Sequence, residues 1–156
     1  MAVTKTFSYT AINSAIDNNI FLIGENKIQE TEKKINKIIN KNKIKLHFIG
    51  ALQSNKIKKA IKLYNVIETV ASEKHLFKIQ KEAKKINKKQ QIYIQINIGK
   101  DPKKKGITIK ELPFLLKKTL KLKEVQFEGL MTILPQKTTP EDQINLYTKM
   151  KKLFLK

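Results

Sequence analysis

Short runs of apolar, often β-branched residues alternate along this chain with longer stretches in which apolar residues recur every three or four positions. Val3 opens the first run, and Ala11, Ala15 and Ile16 follow at helical spacing. A second run, Ile20-Phe21-Leu22-Ile23, stops at Gly24-Glu25-Asn26, and Ile28, Ile35, Ile38 and Ile39 mark the next helix among lysines. Leu46-His47-Phe48-Ile49 ends at Gly50 and gives way to a helix carrying Ile57, Ala60, Ile61 and Tyr64. Val66 to Val70 reads as a strand, and Ser72 with Glu73 behind it predicts a capped helix whose stripe is Leu76, Ile79, Ala83 and Ile86.

The clearest strand is Ile92-Tyr93-Ile94-Gln95-Ile96-Asn97-Ile98, followed by a lysine-rich loop from Gly99 to Gly106. The next helix holds Leu112, Leu115, Leu116 and Leu120, with Pro113 accommodated in its first turn. Val125 to Ile133 reads as a further strand. Thr139-Pro140-Glu141-Asp142 is a helix start, with cap, proline and acids in order, and Ile144, Tyr147 and Leu153 are expected to supply that helix's buried face. Strands and helices alternating at this interval predict right-handed crossovers and a parallel sheet. The fold class is therefore α/β, with about six βα units in a single domain spanning residues 1–156.

Composition narrows the class. The 156 residues suffice for one sizeable core, and 40% hydrophobic content with five glycines and four prolines describes a folded chain. With no cysteine, disulfides, thiolate catalysis and cysteine-ligated metal are excluded, and a reducing cytosol is the expected home. No stretch of membrane-spanning length is free of charge, and the start Met1-Ala2-Val3-Thr4-Lys5 does not read as a secretion signal, so a cytoplasmic location is expected.

The net charge of +20 points toward phosphate backbones or anionic surfaces. Yet the basic residues are all lysine, without the arginine that makes bidentate contacts, and they are spread among Ile and Asn over nearly every helix. Codon usage of an AT-rich genome accounts for that pattern equally. The expectation is no specific nucleic acid and no membrane, with a basic nucleic-acid or anionic-surface binder kept as an alternative.

Parallel α/β folds work at the carboxyl ends of their strands. Those ends gather Lys5; Gly24, Glu25 and Asn26; Gly50 with Gln53, Ser54 and Asn55; Val70 and Ser72; Asn97 and Gly99; and Met131 to Pro135. A lysine at such a rim can be desolvated and attack an aldehyde, as Schiff-base chemistry requires, although position alone fits an exposed strand-end lysine as well. His47 lies within a strand and reads either as a hydrogen-bonded core residue or as an acid–base group. Glu25 and Glu30 fit a catalytic acid and base, or simply acids favoured near a helix start. Two distant histidines give no metal site, and no glycine-rich phosphate loop of Walker or dinucleotide type is present.

Five blocks in register carry a more specific signal: Ala2-Val3-Thr4-Lys5-Thr6; Phe21 to Glu30 with its Gly24-Glu25-Asn26; His47 to Lys56; Gln95-Ile96-Asn97-Ile98 with Lys104 and Gly106; and Gly129-Leu130-Met131-Thr132-Ile133. Together they resemble the pyridoxal phosphate homeostasis protein family, which shares its fold with the N-terminal barrel domain of alanine racemase. The resemblance implies an incomplete TIM-type (β/α) barrel of fold-type III with pyridoxal 5'-phosphate (PLP) as cofactor. Lys5 matches the Schiff-base lysine, Asn26 a residue lining the cofactor pocket, and His47 and Met131 are carried over as pocket-wall candidates.

The implied role is non-catalytic: binding PLP, buffering it and delivering it to PLP-requiring apo-enzymes in vitamin B6 homeostasis. A racemase-like enzyme fragment is the alternative within this chemistry. Family members usually begin further upstream of the Lys5 block and continue through two more βα units, which carry a serine and an Arg-Ile-Gly-Thr segment at the cofactor phosphate and ring nitrogen. Relative to that pattern the chain is expected to be truncated at both ends. It is also expected to have open strand edges near Val3 and Phe127, through which it can self-associate.

Overall fold

The computed structural model describes residues 1–155. Strands β1 (Ala2–Val3), β2 (Leu22–Glu25), β3 (Lys45–Phe48), β4 (Val66–Val70), β5 (Gln90–Gln95) and β6 (Val125–Met131) alternate with helices α1 (Tyr9–Asp17), α2 (Ile28–Ile35), α3 (Ile57–Leu63), α4 (Glu73–Lys85), α5 (Leu112–Thr119) and α6 (Pro140–Phe154). All strands pair in parallel and in chain order, leaving β1 and β6 as the outer strands. Right-handed crossovers between consecutive neighbours put every helix on one face of such a sheet. The result is the predicted arrangement of six βα units, with one covered and one helix-free face.

Alternation along each strand divides the residues between those faces. Ile23, Leu46, Phe48, Ile67, Ile92 and Ile94 point to the helices and join Ile12, Ile57, Ile61, Leu76, Ile79 and Leu115 in one continuous core. Val3, Leu22 and Gly24 lie on the other side, where Val3 is 48% exposed.

The start signals perform as the sequence suggests. The Ser72 hydroxyl accepts from the His75 amide, Thr139 and Asp142 form a reciprocal capping box, and Pro113 and Pro140 stand in first turns. No helix among the described residues is long and apolar enough to cross a membrane.

Several expectations need correction: Ile86 and Leu120, expected on the stripes of α4 and α5, are exposed just past the ends of those helices, the strand expected over 125–133 ends at Met131, and three larger differences follow. The helix marked by Ile28 to Ile39 ends at Ile35; Ile38 is buried from the following turn, and Ile39 is exposed where the chain reverses at Asn40 in the left-handed region. The strand predicted over 92–98 stops at Gln95. Beyond it the Asn97 side chain donates to the Asp101 carbonyl at 2.8 Å and accepts from the Asp101 amide at 3.1 Å, turning the chain into the lysine-rich loop. In α6 the buried side is built from Met150 with Leu146 and Leu153 packed beside it, whereas Ile144 and Tyr147 are exposed. Two apolar stripes compete on that helix, and the one at i, i+4 and i+7 from Leu146 is the one that meets the sheet.

Candidate functional site

The site is organised by the end of β1. That strand has only two residues, and the next residue, Thr4, is tied at every polar atom. Its amide donates to the Gly24 carbonyl at 3.1 Å, its hydroxyl donates to Glu25 Oε1 at 2.7 Å, and its carbonyl accepts from Lys34 Nζ at 3.1 Å and from the Phe7 amide at 3.2 Å. Lys5 follows as the first central residue of the turn that the Phe7 amide closes on the Thr4 carbonyl, and it is exposed. Thr6, next in the chain, has φ of 70°. A β-branched residue rarely adopts this left-handed conformation, and such strain collects where a turn must hold a functional side chain.

Asn26 follows the end of the adjacent strand, two positions beyond the Gly24 that pairs with Val3. Its Oδ1 is buried without a hydrogen-bond partner, which leaves an acceptor free for a ligand. Close approach of the next loop secures this position. A Cβ on Gly50 would lie 2.0 Å from the Asn26 carbonyl oxygen, so only glycine permits the β2 and β3 ends to touch. Asn26 also borders a cavity of about 270 Å³ with Phe48, Ala51, Gln53 and Lys56.

His47 pairs with Gly24 and so faces the helix-free side. It is 6% exposed; Nδ1 lies 2.6 Å from Glu68 Oε1, and Nε2 is buried without a partner. The polar row continues across the sheet. Glu128 Oε1 accepts from Gln91 Nε2 at 2.7 Å and from Gln126 Nε2 at 2.6 Å. Burial first, and then the Glu68 and Glu128 carboxylates, push the Tyr93 hydroxyl above its ordinary value. Met131 pairs with Gln95 at the end of β6, and the four strands β2 to β5 separate its strand from β1. Lys5 and Asn26 thus follow the ends of adjacent strands, His47 lies on the helix-free face of the next strand, and Met131 belongs to the opposite edge.

The two acids singled out earlier divide differently from an acid–base pair. Glu25 is fully buried on the helix side, where it accepts from Lys34 Nζ at 2.8 Å as well as from Thr4. Glu30 is in a surface pair with Lys27, whose hydrogen bond lowers the carboxyl pKa.

Glu68, Glu128, Tyr93 and Lys34 were not legible as site residues. The first three carry one signal, a polar residue at every second position of an otherwise apolar strand. Lys34 carries none, being one lysine in a chain that has 33 basic residues.

A sheet of parallel βα units with its polar residues on the helix-free side and at the strand ends is the arrangement of a barrel-type α/β protein. The alanine racemase N-terminal domain family matches residues 1–154. The chain is 36% identical over 153 residues to the pyridoxal phosphate homeostasis protein of Synechocystis sp., covering 98% of this chain and 70% of that protein. It is 32% identical to its counterpart in Aquifex aeolicus, over 98% of this chain and 67% of that one.

Among solved structures, PipY of Synechococcus elongatus with PLP bound superposes with a TM-score of 0.91 at 26% identity, over 99% of this chain and 72% of that one. Alanine racemase of Clostridium difficile superposes with a TM-score of 0.76 at 17% identity, over 97% of this chain and 43% of that one, a likeness of fold alone. The chain belongs to the alanine racemase N-terminal domain family and, within it, to the pyridoxal phosphate homeostasis proteins.

Proposed function

We propose that this chain binds pyridoxal 5'-phosphate through Lys5 and serves as a non-catalytic, cytoplasmic carrier of it in vitamin B6 homeostasis. The observation that carries the reading is the anchored end of β1: Lys5 follows a residue bound at each polar atom and precedes a strained Thr6, and the adjacent strand end carries the unpartnered Asn26 oxygen. PLP supplies an electrophilic aldehyde that a lysine amine takes up covalently with loss of water.

The residues present fit such a group. Lys5 offers the amine, Asn26 Oδ1 offers a buried acceptor, and His47 forms part of the wall with Nε2 still free. Met131, on the far edge of the sheet, is assigned to the pocket wall by family resemblance alone. A carrier role is favoured over racemization because the relatives at 36% and 32% identity are homeostasis proteins, whereas the racemase likeness is one of fold at 17% identity.

Delivery to PLP-requiring apo-enzymes, and self-association through the free edges of β1 and β6, are the partnerships this reading entails. The test is to add PLP, trap the adduct with borohydride and map it by peptide mass spectrometry. Lys5 should carry the label in preference to the other lysines, and Lys5→Ala should abolish the specific fraction. Label scattered over surface lysines, or unchanged by Lys5→Ala, would sink the assignment. Exchange of the alanine α-proton in deuterated solvent faster than with free PLP would instead favour the racemase reading.

A further inference from the structure

The buried Glu25–Lys34 pair has no place in the carrier reading, yet it touches the residue that precedes Lys5. We infer that Glu25 and Lys34 are positioning residues which, through Thr4, fix the turn that presents the Lys5 amine at the end of β1; the inference rests on the carrier reading for its consequence, not for its geometry.

Thr4 is 4% exposed, Glu25 is fully buried, and the side chain of Lys34 is 11% exposed, so the cluster lies inside the helix layer. Lys34 Nζ reaches both Glu25 Oε1 at 2.8 Å and the Thr4 carbonyl at 3.1 Å, while Glu25 Oε1 also takes the Thr4 hydroxyl at 2.7 Å. One lysine and one glutamate therefore hold two of the three polar atoms of Thr4, and strand pairing with Gly24 holds the third.

Stability alone is a poor reason for this arrangement. Desolvating two charges costs more than an apolar pair of similar volume would, and here the second carboxylate oxygen, Glu25 Oε2, is left buried without a partner. What the pair provides is direction. An outer strand of two residues supplies only two register pairs, Ala2 with Ile23 and Val3 with Gly24, and would fray without a further anchor. An apolar pair could cover Thr4, but it could neither donate to the carbonyl nor accept from the hydroxyl. The anchor is buried in the helix layer while Lys5 is exposed, so it fixes the backbone and leaves the amine free to react.

The test separates anchoring from folding and from PLP binding. The double variant Glu25→Gln with Lys34→Met removes both charges together and avoids stranding one of them. Thr4→Val removes only the hydroxyl, and Thr4→Ser restores it. Folding is followed by circular dichroism and urea unfolding, the anchor by hydrogen exchange of the Phe7 amide, which donates to the Thr4 carbonyl, and the amine by the rate of borohydride-trapped PLP labelling at Lys5.

In the folded double variant, Phe7 exchange should rise and Lys5 labelling should fall, each by at least about tenfold. Thr4→Val should move both in the same direction and Thr4→Ser should return both to wild-type values; these two variants decide the matter if the double variant does not fold. Wild-type exchange and labelling rates in a folded double variant, or in Thr4→Val, would overturn the inference. A wild-type chain unlabelled at Lys5 would defeat the carrier reading, while the exchange rates still report on the anchor.

Discussion

The two faces of the sheet are made by the same six strands, and they differ in what their buried polar groups do. Toward the helices, Ile23, Phe48, Ile67, Ile92 and Ile94 interlock with helix side chains, and the polar groups among them, such as the Thr4–Glu25–Lys34 cluster and the Thr31–Tyr64 pair, are internal. On the helix-free side the polar groups form an extended row, His47 with Glu68 and Gln91 and Gln126 with Glu128, next to apolar residues as exposed as Val3. Packing holds the first face together. The second is held by hydrogen bonds, and its unpartnered His47 Nε2 lies within the polar row, whereas on the first face Glu25 Oε2 and His75 Nδ1 are left without partners in the helix layer. Strand alternation allows one backbone to carry both, because adjacent residues answer to different environments.

The contrast predicts a gradient of mutational effects. Ile94→Ala, in the fully buried face, should lower stability by about 2–5 kcal/mol in urea unfolding. Glu68→Ala, which strips His47 of its one partner, should cost about 1–3 kcal/mol, since it leaves a buried imidazole unsatisfied. If Glu68→Ala costs as much as Ile94→Ala, the helix-free face is a second core and the contrast fails. Gln126→Ala should cost under about 1 kcal/mol, because Glu128 retains its bond from Gln91.

The smallest expected effect concerns acid. Burial, and to a lesser extent Lys74, lowers the His75 pKa in the helix layer. The native state therefore favours neutral His75, and the unfolded chain binds the extra proton first. The contribution to stability is complete above the ordinary histidine value near 6.5 and is lost as pH falls from there through the depressed native value. Urea midpoints measured from pH 7.5 downward should decline less steeply for His75→Asn than for the wild type; equal slopes would remove His75 from the account.

Legibility followed the same division. Elements whose logic is local were readable: Thr139 with Asp142 and Pro140 announces α6, Ser72 announces α4, and the alternation of strand and helix leads to a parallel sheet. Lys5 and Asn26 were readable as strand-end residues, and the match of several blocks in register made them candidates for one pocket. Features that depend on a partner distant in sequence were not. The buried stripe of α6 depends on which side meets the sheet, and Glu25 looked like a helix-start acid until Lys34 and Thr4 were seen around it. His47 is polar in either reading, and only the position of Glu68 on the neighbouring strand shows what its Nδ1 engages.

The sequence by itself determined the alternation of elements, the family, and the placing of a lysine just past the end of β1, because periodicity, caps and block order are properties of neighbours along the chain. The tertiary structure alone decided which of 33 basic residues is buried against Thr4, and which polar groups are left without partners. Those outcomes arise from contacts between segments 9 to 30 residues apart, where burial rather than residue type sets the role of a charge.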